Sequence, residues 1–137
     1  MYACIVKNNS NTWDIFTVFP SIPDAKKQRI DSALESGLPI VSRNLTEFGS
    51  SVRSGAIWDG AQFNGGDPTS LIEGSSRGQY SYLCNDMIIF TLLTQLNTDM
   101  DIQMASIFES ETTVIKIPEG QTASIGDIWD GENVISL

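Results

Sequence analysis

Residues 57–60 read Ile-Trp-Asp-Gly, and residues 128–131 read Ile-Trp-Asp-Gly again. The chain has only three Trp among 137 residues, so the echo gains weight if other blocks repeat in the same order. Working outward, Ile15-Phe16-Thr17-Val18-Phe19 matches Ile89-Phe90-Thr91-Leu92-Leu93 at an offset of 74. The same offset pairs Ile30 with Met104, Ala33 with Ile107, Leu34 with Phe108, Ile40 with Val114 and Val41 with Ile115. Three residues are then lost, and an offset of 71 pairs Gly49 with Gly120 and Gly55 with Gly126 before the Trp-Asp-Gly segment arrives. Blocks that match in one order predict an internal duplication, which has to be settled before secondary structure because a missed repeat mis-assigns the fold. Half one is expected at 1–64 and half two at 79–137. Between them, 65–78 has the Gly, Ser, Asp and Pro content of a connector.

Each half has its own local logic. Tyr2–Lys7 and Trp13–Phe19 are short runs of β-branched and aromatic residues around Asn8-Asn9-Ser10-Asn11, which predicts a hairpin. Ser21-Ile22-Pro23-Asp24 then offers an N-cap, a first-turn Pro and an acid near the positive end of a helix dipole. Ile22, Ile30, Ala33 and Leu34 share one face at helical spacing, and Gly37 with Pro39 stops the helix. A strand at 38–43 follows, and a crossover of this length predicts a parallel, right-handed connection. Half two predicts strands at 79–84 and 87–95, a helix opened by Thr98 with Asp101 as capping partner and Met100, Met104, Ile107 and Phe108 buried, and a strand at 112–117. The expected fold class is therefore α+β: two pseudo-symmetric β-β-α-β-hairpin repeats docked as one compact unit with mixed sheets.

Composition narrows the chemistry. The chain carries 8 Lys plus Arg, 17 Asp plus Glu and no His, for a net charge of −9. That balance disfavours nucleic acid, whose phosphates are held by clustered Lys and Arg. Lack of His removes the commonest general base and transition-metal ligand. No apolar run approaches the roughly 20 residues that span a bilayer, and the opening residues lack the apolar core of a secretory signal. Cys4 and Cys84 have neither redox nor zinc spacing and read as buried thiols in strands. The charge is uneven: 1–70 carries six bases and seven acids, whereas 71–137 carries Arg77 and Lys116 against ten acids.

The Trp-Asp-Gly segments are the most distinctive feature. Asp-Gly between apolar runs predicts a tight type I′ turn, with positive φ at both central positions. Ile57, Trp58, Asp59 and Gly60, with Ile128, Trp129, Asp130 and Gly131, are thus expected to form a structural hairpin motif. No catalytic, cofactor-binding or metal-ligating residue is assigned, and no cofactor is expected. One chemical alternative has Asp59 and Asp130 meeting as a carboxylate dyad that shares a proton, although each Asp is followed directly by Gly rather than by a hydroxyl residue. Another uses the Trp faces and carboxylates as a sugar platform. Gly65 to Thr69 lacks the alternating acids of a Ca²⁺ loop and the Lys of a P-loop. Asp99 and Asp101 suit a helix start better than a hard-metal site, and Lys26, Lys27 and Arg29 read as a solvated helix face.

At Gly55-Ala56-Ile57-Trp58-Asp59-Gly60-Ala61-Gln62-Phe63 and again at Gly126-Asp127-Ile128-Trp129-Asp130-Gly131, the chain resembles small virion-associated proteins of tailed bacteriophages. In that group a Gly-x-x-aromatic-Asp-Gly-x-x-apolar hairpin recurs. The resemblance implies a non-enzymatic structural or assembly role in a phage particle, as capsid decoration or tail accessory, and transfers no catalytic residue. It implies a protein made in the host cytoplasm and placed in the virion, with other virion subunits as partners and self-association as one option, while the charge and the short apolar runs already speak against nucleic acid and membrane. This chain departs from the group by carrying the motif twice. Ser, Thr, Asn and Gln number 40, a neutral-polar character that also suits proteins working in assemblies. The alternative function, drawn from the acidic second half, is an intracellular inhibitor or host-takeover protein that occupies a basic cleft.

Overall fold

A computed structural model describes residues 1–68, 77–95 and 98–136. β1 (Tyr2–Lys7) and β2 (Trp13–Phe19) form the expected hairpin. Asn8 shapes its loop, accepting at Oδ1 from the backbone N–H groups of Ser10 and Thr12 at 2.9 and 3.1 Å. Helix α1 (Asp24–Ser36) buries Ile30 and Ala33 and is closed by Gly37 at φ +70°. It starts later than the Ser21 cap implies. Pro23 occupies the N-cap in an extended conformation with no side-chain cap bond, and its ring disfavours helical geometry at Ile22, so the helix cannot grow back toward Ser21.

The remaining elements are β3 (Ile40–Asn44), a short 3-10 helix (Thr46–Ser51), β4 (Ile57–Trp58), β5 (Phe63–Asn64), β6 (Arg77–Cys84), β7 (Met87–Gln95), α2 (Thr98–Glu109), β8 (Thr112–Lys116), β9 (Ile128–Trp129) and β10 (Val134–Ile135). The class is α+β, as expected. The connector reading at 65–78 falls mostly on 69–76, outside the described residues, and Arg77 and Gly78 already belong to β6. The side chains of Thr98, Met100 and Asp101 also lie outside them, and with them the capping partnership expected there.

Two expectations need correction. The sheets are not mixed: every strand pair described is antiparallel. One sheet has the order β8-β1-β2-β9-β10 and the other β3-β6-β7-β4-β5. The parallel crossover fails because α1 leads from β2 into the other sheet instead of returning to its own. For the same reason the compact units do not follow the boundaries 1–64 and 79–137. One unit comprises 1–22 with 110–137, and the other comprises 23–109. Each sheet takes the first hairpin of one sequence half and the last three strands of the other.

The two sheets nevertheless match strand by strand. β1 against β2 pairs Cys4 with Thr17 and then Ile5 with Ile15, leaving Phe16 in a bulge. β6 against β7 pairs Tyr82 with Phe90 and then Leu83 with Ile88, leaving Ile89 in the same bulge. Cys4 therefore corresponds to Tyr82 and Ile15 to Ile88. The outer strands agree: Cys4 faces Val114, and Tyr82 faces Ser42. Beyond them the Ile117 N–H donates to the Met1 carbonyl at 3.0 Å, as Leu45 does to Gln79 at 2.8 Å. The Gly126 N–H donates to Ile15, and Ile15 to Asp127; Gly55 donates to Ile88, and Ile88 to Ala56.

These pairings give structural offsets of 73 for β2 with β7 and 72 for β3 with β8, so the sequence offset of 74 misplaces those strands by one and two residues. In a strand a one-residue slip turns every side chain to the opposite face. With the corrected register the two hydrophobic clusters occupy corresponding positions. Ile5, Ile15, Ile117, Ala123, Trp129 and Val134 meet in one unit. Leu83, Ile88, Leu45, Val52, Trp58 and Phe63 meet in the other.

Candidate functional site: the paired hairpins

Both Trp-Asp-Gly segments form hairpins, as expected, but in a different turn register. In the first, Trp58 pairs with Phe63 across the strands, and the Asp59 N–H donates to the Gln62 carbonyl at 3.1 Å. Gly60, at φ +100°, occupies the first central position, and Asp59 keeps negative φ. A type I′ turn needs positive φ at both central residues, whereas positive φ at the first alone is the type II′ pattern. Asp59 therefore sits before the central pair and serves as an acceptor. Its Oδ1 receives the N–H groups of Ala61 and Gln62 at 2.8 and 2.9 Å, and its Oδ2 the side-chain amide of Asn64 at 2.6 Å.

The second hairpin repeats this geometry. Asp130 N–H donates to the Asn133 carbonyl at 3.1 Å. Asp130 Oδ1 accepts from Glu132 at 2.8 Å and Asn133 at 2.7 Å, with Gly131 at φ +105°. Gln121 braces the strand that follows, accepting from the Val134 N–H at 2.8 Å and donating to Asn133 Oδ1 at 2.6 Å.

Charge follows from these bonds. The N–H groups of Gln62 and Ala61, with the Asn64 amide, hold the Asp59 carboxyl below its ordinary value near 3.8. Asn133 and Glu132 do the same for Asp130. Each carboxylate is thus engaged by the backbone N–H groups of its own turn. The Trp rings are likewise engaged. Trp58 is half-buried, 4.8 Å from Phe63 and edge-on to Phe48 at 5.6 Å, and Trp129 packs against its unit's core.

A pH dependence follows. Both carboxyl groups have depressed folded-state values, so their contribution to stability is present above the unfolded value of about 3.9 and lost as pH falls through the folded one. The melting temperature should decline as pH drops below about 4. The Asp59→Asn, Asp130→Asn double variant should show a shallower decline over that window, because the amide keeps an acceptor oxygen and loses the titration. Calorimetry across pH 2.5 to 6 checks this; identical slopes would mean the turn carboxylates do not contribute.

A second feature lies outside the repeated motif. Within 23–109, a groove of about 540 Å³ runs between α1 and the β6–β7 turn, lined by Arg29, Ser32, Ala33, Leu38, Met87 and Ile89 among others. Lys26 and Arg29 are half-buried rather than on a fully solvated face. Burial, then the neighbouring Arg29, lower the Lys26 value, while Asp67 raises it. Arg29 Nε donates to the Ile89 carbonyl at 3.4 Å, and its Nη2 is enclosed with no acceptor among the described residues. The signal in the sequence was Ala25, Arg29, Ser32 and Ser36, at three- and four-residue spacing on one helix face. Cys4 and Cys84 are buried free thiols, as expected.

Among the described residues no group of three or more His, Cys, Asp or Glu side chains is placed to hold a metal, and no helix is long and apolar enough to cross a membrane. In comparisons with known proteins, no family model, curated protein or solved structure matches the chain.

Proposed function

We propose that the protein is a non-enzymatic structural component of a phage particle, a capsid decoration or tail accessory subunit that binds other protein subunits, and that it arose by duplication of one β-β-α-β-hairpin unit. One observation carries this reading. The repeated Ile-Trp-Asp-Gly motif, the basis of the resemblance to virion-associated proteins, is used in both copies for turn and core: the aspartates cap backbone N–H groups and the Trp rings fill the clusters. A motif consumed by scaffolding is what an assembly part needs, because its surface must be presented in a fixed shape. The corresponding strand registers, bulges and core positions support the duplication.

The protein is then made in the host cytoplasm and ends in the virion, without cofactor, nucleic acid or membrane partner. Mass spectrometry of purified particles of the encoding phage tests this, with the expected result that the chain is present at a fixed ratio to the capsid or tail proteins. Its absence from particles would overturn the proposal. Capture of a basic host protein that weakens steeply with salt would instead support the acidic-inhibitor reading, in which residues 71–137 supply the charge.

A further inference from the structure

Residues 23–109 form a compact unit with a five-stranded sheet of their own, while the sheet β8-β1-β2-β9-β10 is assembled from two separate flanking segments, 1–22 and 110–137. The segments meet along β1–β8 and β2–β9, and Lys7 Nζ reaches Glu111 at 3.5 Å across that seam. The chain joins them to 23–109 through short links: Pro20 to Pro23, with a proline at each end, and Ser110-Glu111. Nothing in the seam requires both segments to come from one copy. A short hinge next to a separable element is the usual setting for exchange of that element between protomers.

We propose that this sheet is a strand-exchange joint, in which the β1–β2 hairpin of one copy pairs with β8, β9 and β10 of a second copy, so that copies link head to tail. Charge favours this sense of pairing. Residues 110–137 carry Lys116 against five acids, a net −4, whereas 1–22 carries only Lys7 and Asp14 and is neutral. Two 110–137 segments repel each other, and each is better matched by a neutral hairpin. Exchange requires opening this sheet, while the strands of 23–109 keep their own pairing, the kind of sub-global opening that native proteins sample. Closure within one chain has an effective concentration on the order of millimolar. Exchange therefore dominates where copies are crowded to that level, as on an assembling particle. In that respect the inference rests on the assembly reading and supplies its means.

The register provides the test. Val114 lies directly opposite Cys4 in the β1–β8 pair, so Val114→Cys, in a Cys84→Ser background, places two thiols across the seam of the full-length chain. The protein is oxidised at about 10 μM and about 1 mM, from far below the effective concentration up to it, and run on a non-reducing gel. A disulfide closed within one chain at low concentration shows that the sheet has formed. The expected result at high concentration is a ladder of covalent dimers and larger species, with the multi-chain fraction rising at least about tenfold. Intrachain product alone at both concentrations would overturn the proposal. The unsubstituted chain is measured in parallel by size exclusion with light scattering after incubation at the higher concentration. Oligomers that persist on dilution support exchange, and a purely monomeric profile counts against it even if the variant fails to fold. These readouts are independent of particle mass spectrometry, so loss of the virion reading and loss of the exchange joint are separate results.

Discussion

Replacing Phe90 with alanine is expected to destabilise the protein by about 3–5 kcal/mol. Phe90 is 1% exposed in the central strand β7. It lies directly opposite Tyr82, with the two rings stacked at 4.8 Å and 23°. Phe108 from α2 meets Tyr82 edge-on at 5.3 Å and Tyr80 at 5.2 Å, so the ring pair is also where a helix is held on the sheet. Truncation removes the transfer energy of the ring and leaves a cavity beside the Tyr82 ring that Phe108 also packs on, which puts the cost at the upper part of the range for buried residues. Against a total stability of about 5–15 kcal/mol, the variant should melt on the order of 10 °C lower. Ile102→Ala, on the same helix that carries Phe108 but 64% exposed, should melt within a degree or two of the parent. Chemical denaturation with matched slopes checks both. An equal loss in the two variants would mean the aromatic stack is not the organising contact of this unit.

The strands at Tyr2–Lys7, Trp13–Phe19 and Met87–Gln95, the two helices and the two terminal hairpins were legible because their signals are local: β-branched runs, a Gly stop at Gly37 and Asp-Gly between apolar residues. The start of α1 was misread because Ser21 is an attractive cap in isolation, while the effect of Pro23 on Ile22 belongs to the backbone. The turn was misread because Asp suits both a left-handed central position and an acceptor position before the glycine, and only the hydrogen bonds from Ala61, Gln62, Glu132 and Asn133 distinguish them.

The sheet topology was not legible at all. Each hairpin finds the same hydrogen-bonding partners whether β3 to β5 come from its own half or from the other, since Leu45 and Ile117, Val52 and Ala123, or Phe63 and Val134 fill corresponding positions. A repeated pattern predicts which strands can pair but not which copy supplies them. The bulges at Phe16 and Ile89 hid the register for a related reason. Matching side-chain types favoured an offset of 74, whereas the ladder obeys 73 because the inserted residue in each strand is set by hydrogen bonding rather than by identity. The Arg29 groove is not legible in the sequence because its lining is divided between α1 and strands 48 or more residues away in the chain, Cys84, Met87 and Ile89 among them.

Each sheet draws strands from both sequence halves, and cutting the chain tests this topology most directly. A protease site placed between Pro68 and Arg77 divides the protein into two pieces, each of which supplies strands to both sheets. After complete cleavage the fragments should co-elute as one folded species under native conditions. They should come apart only as β-structure is lost, with a melting temperature that now rises with protein concentration because folding has become association. Fragments that separate while each keeps its β-sheet signal would contradict the exchanged topology and restore two self-contained halves.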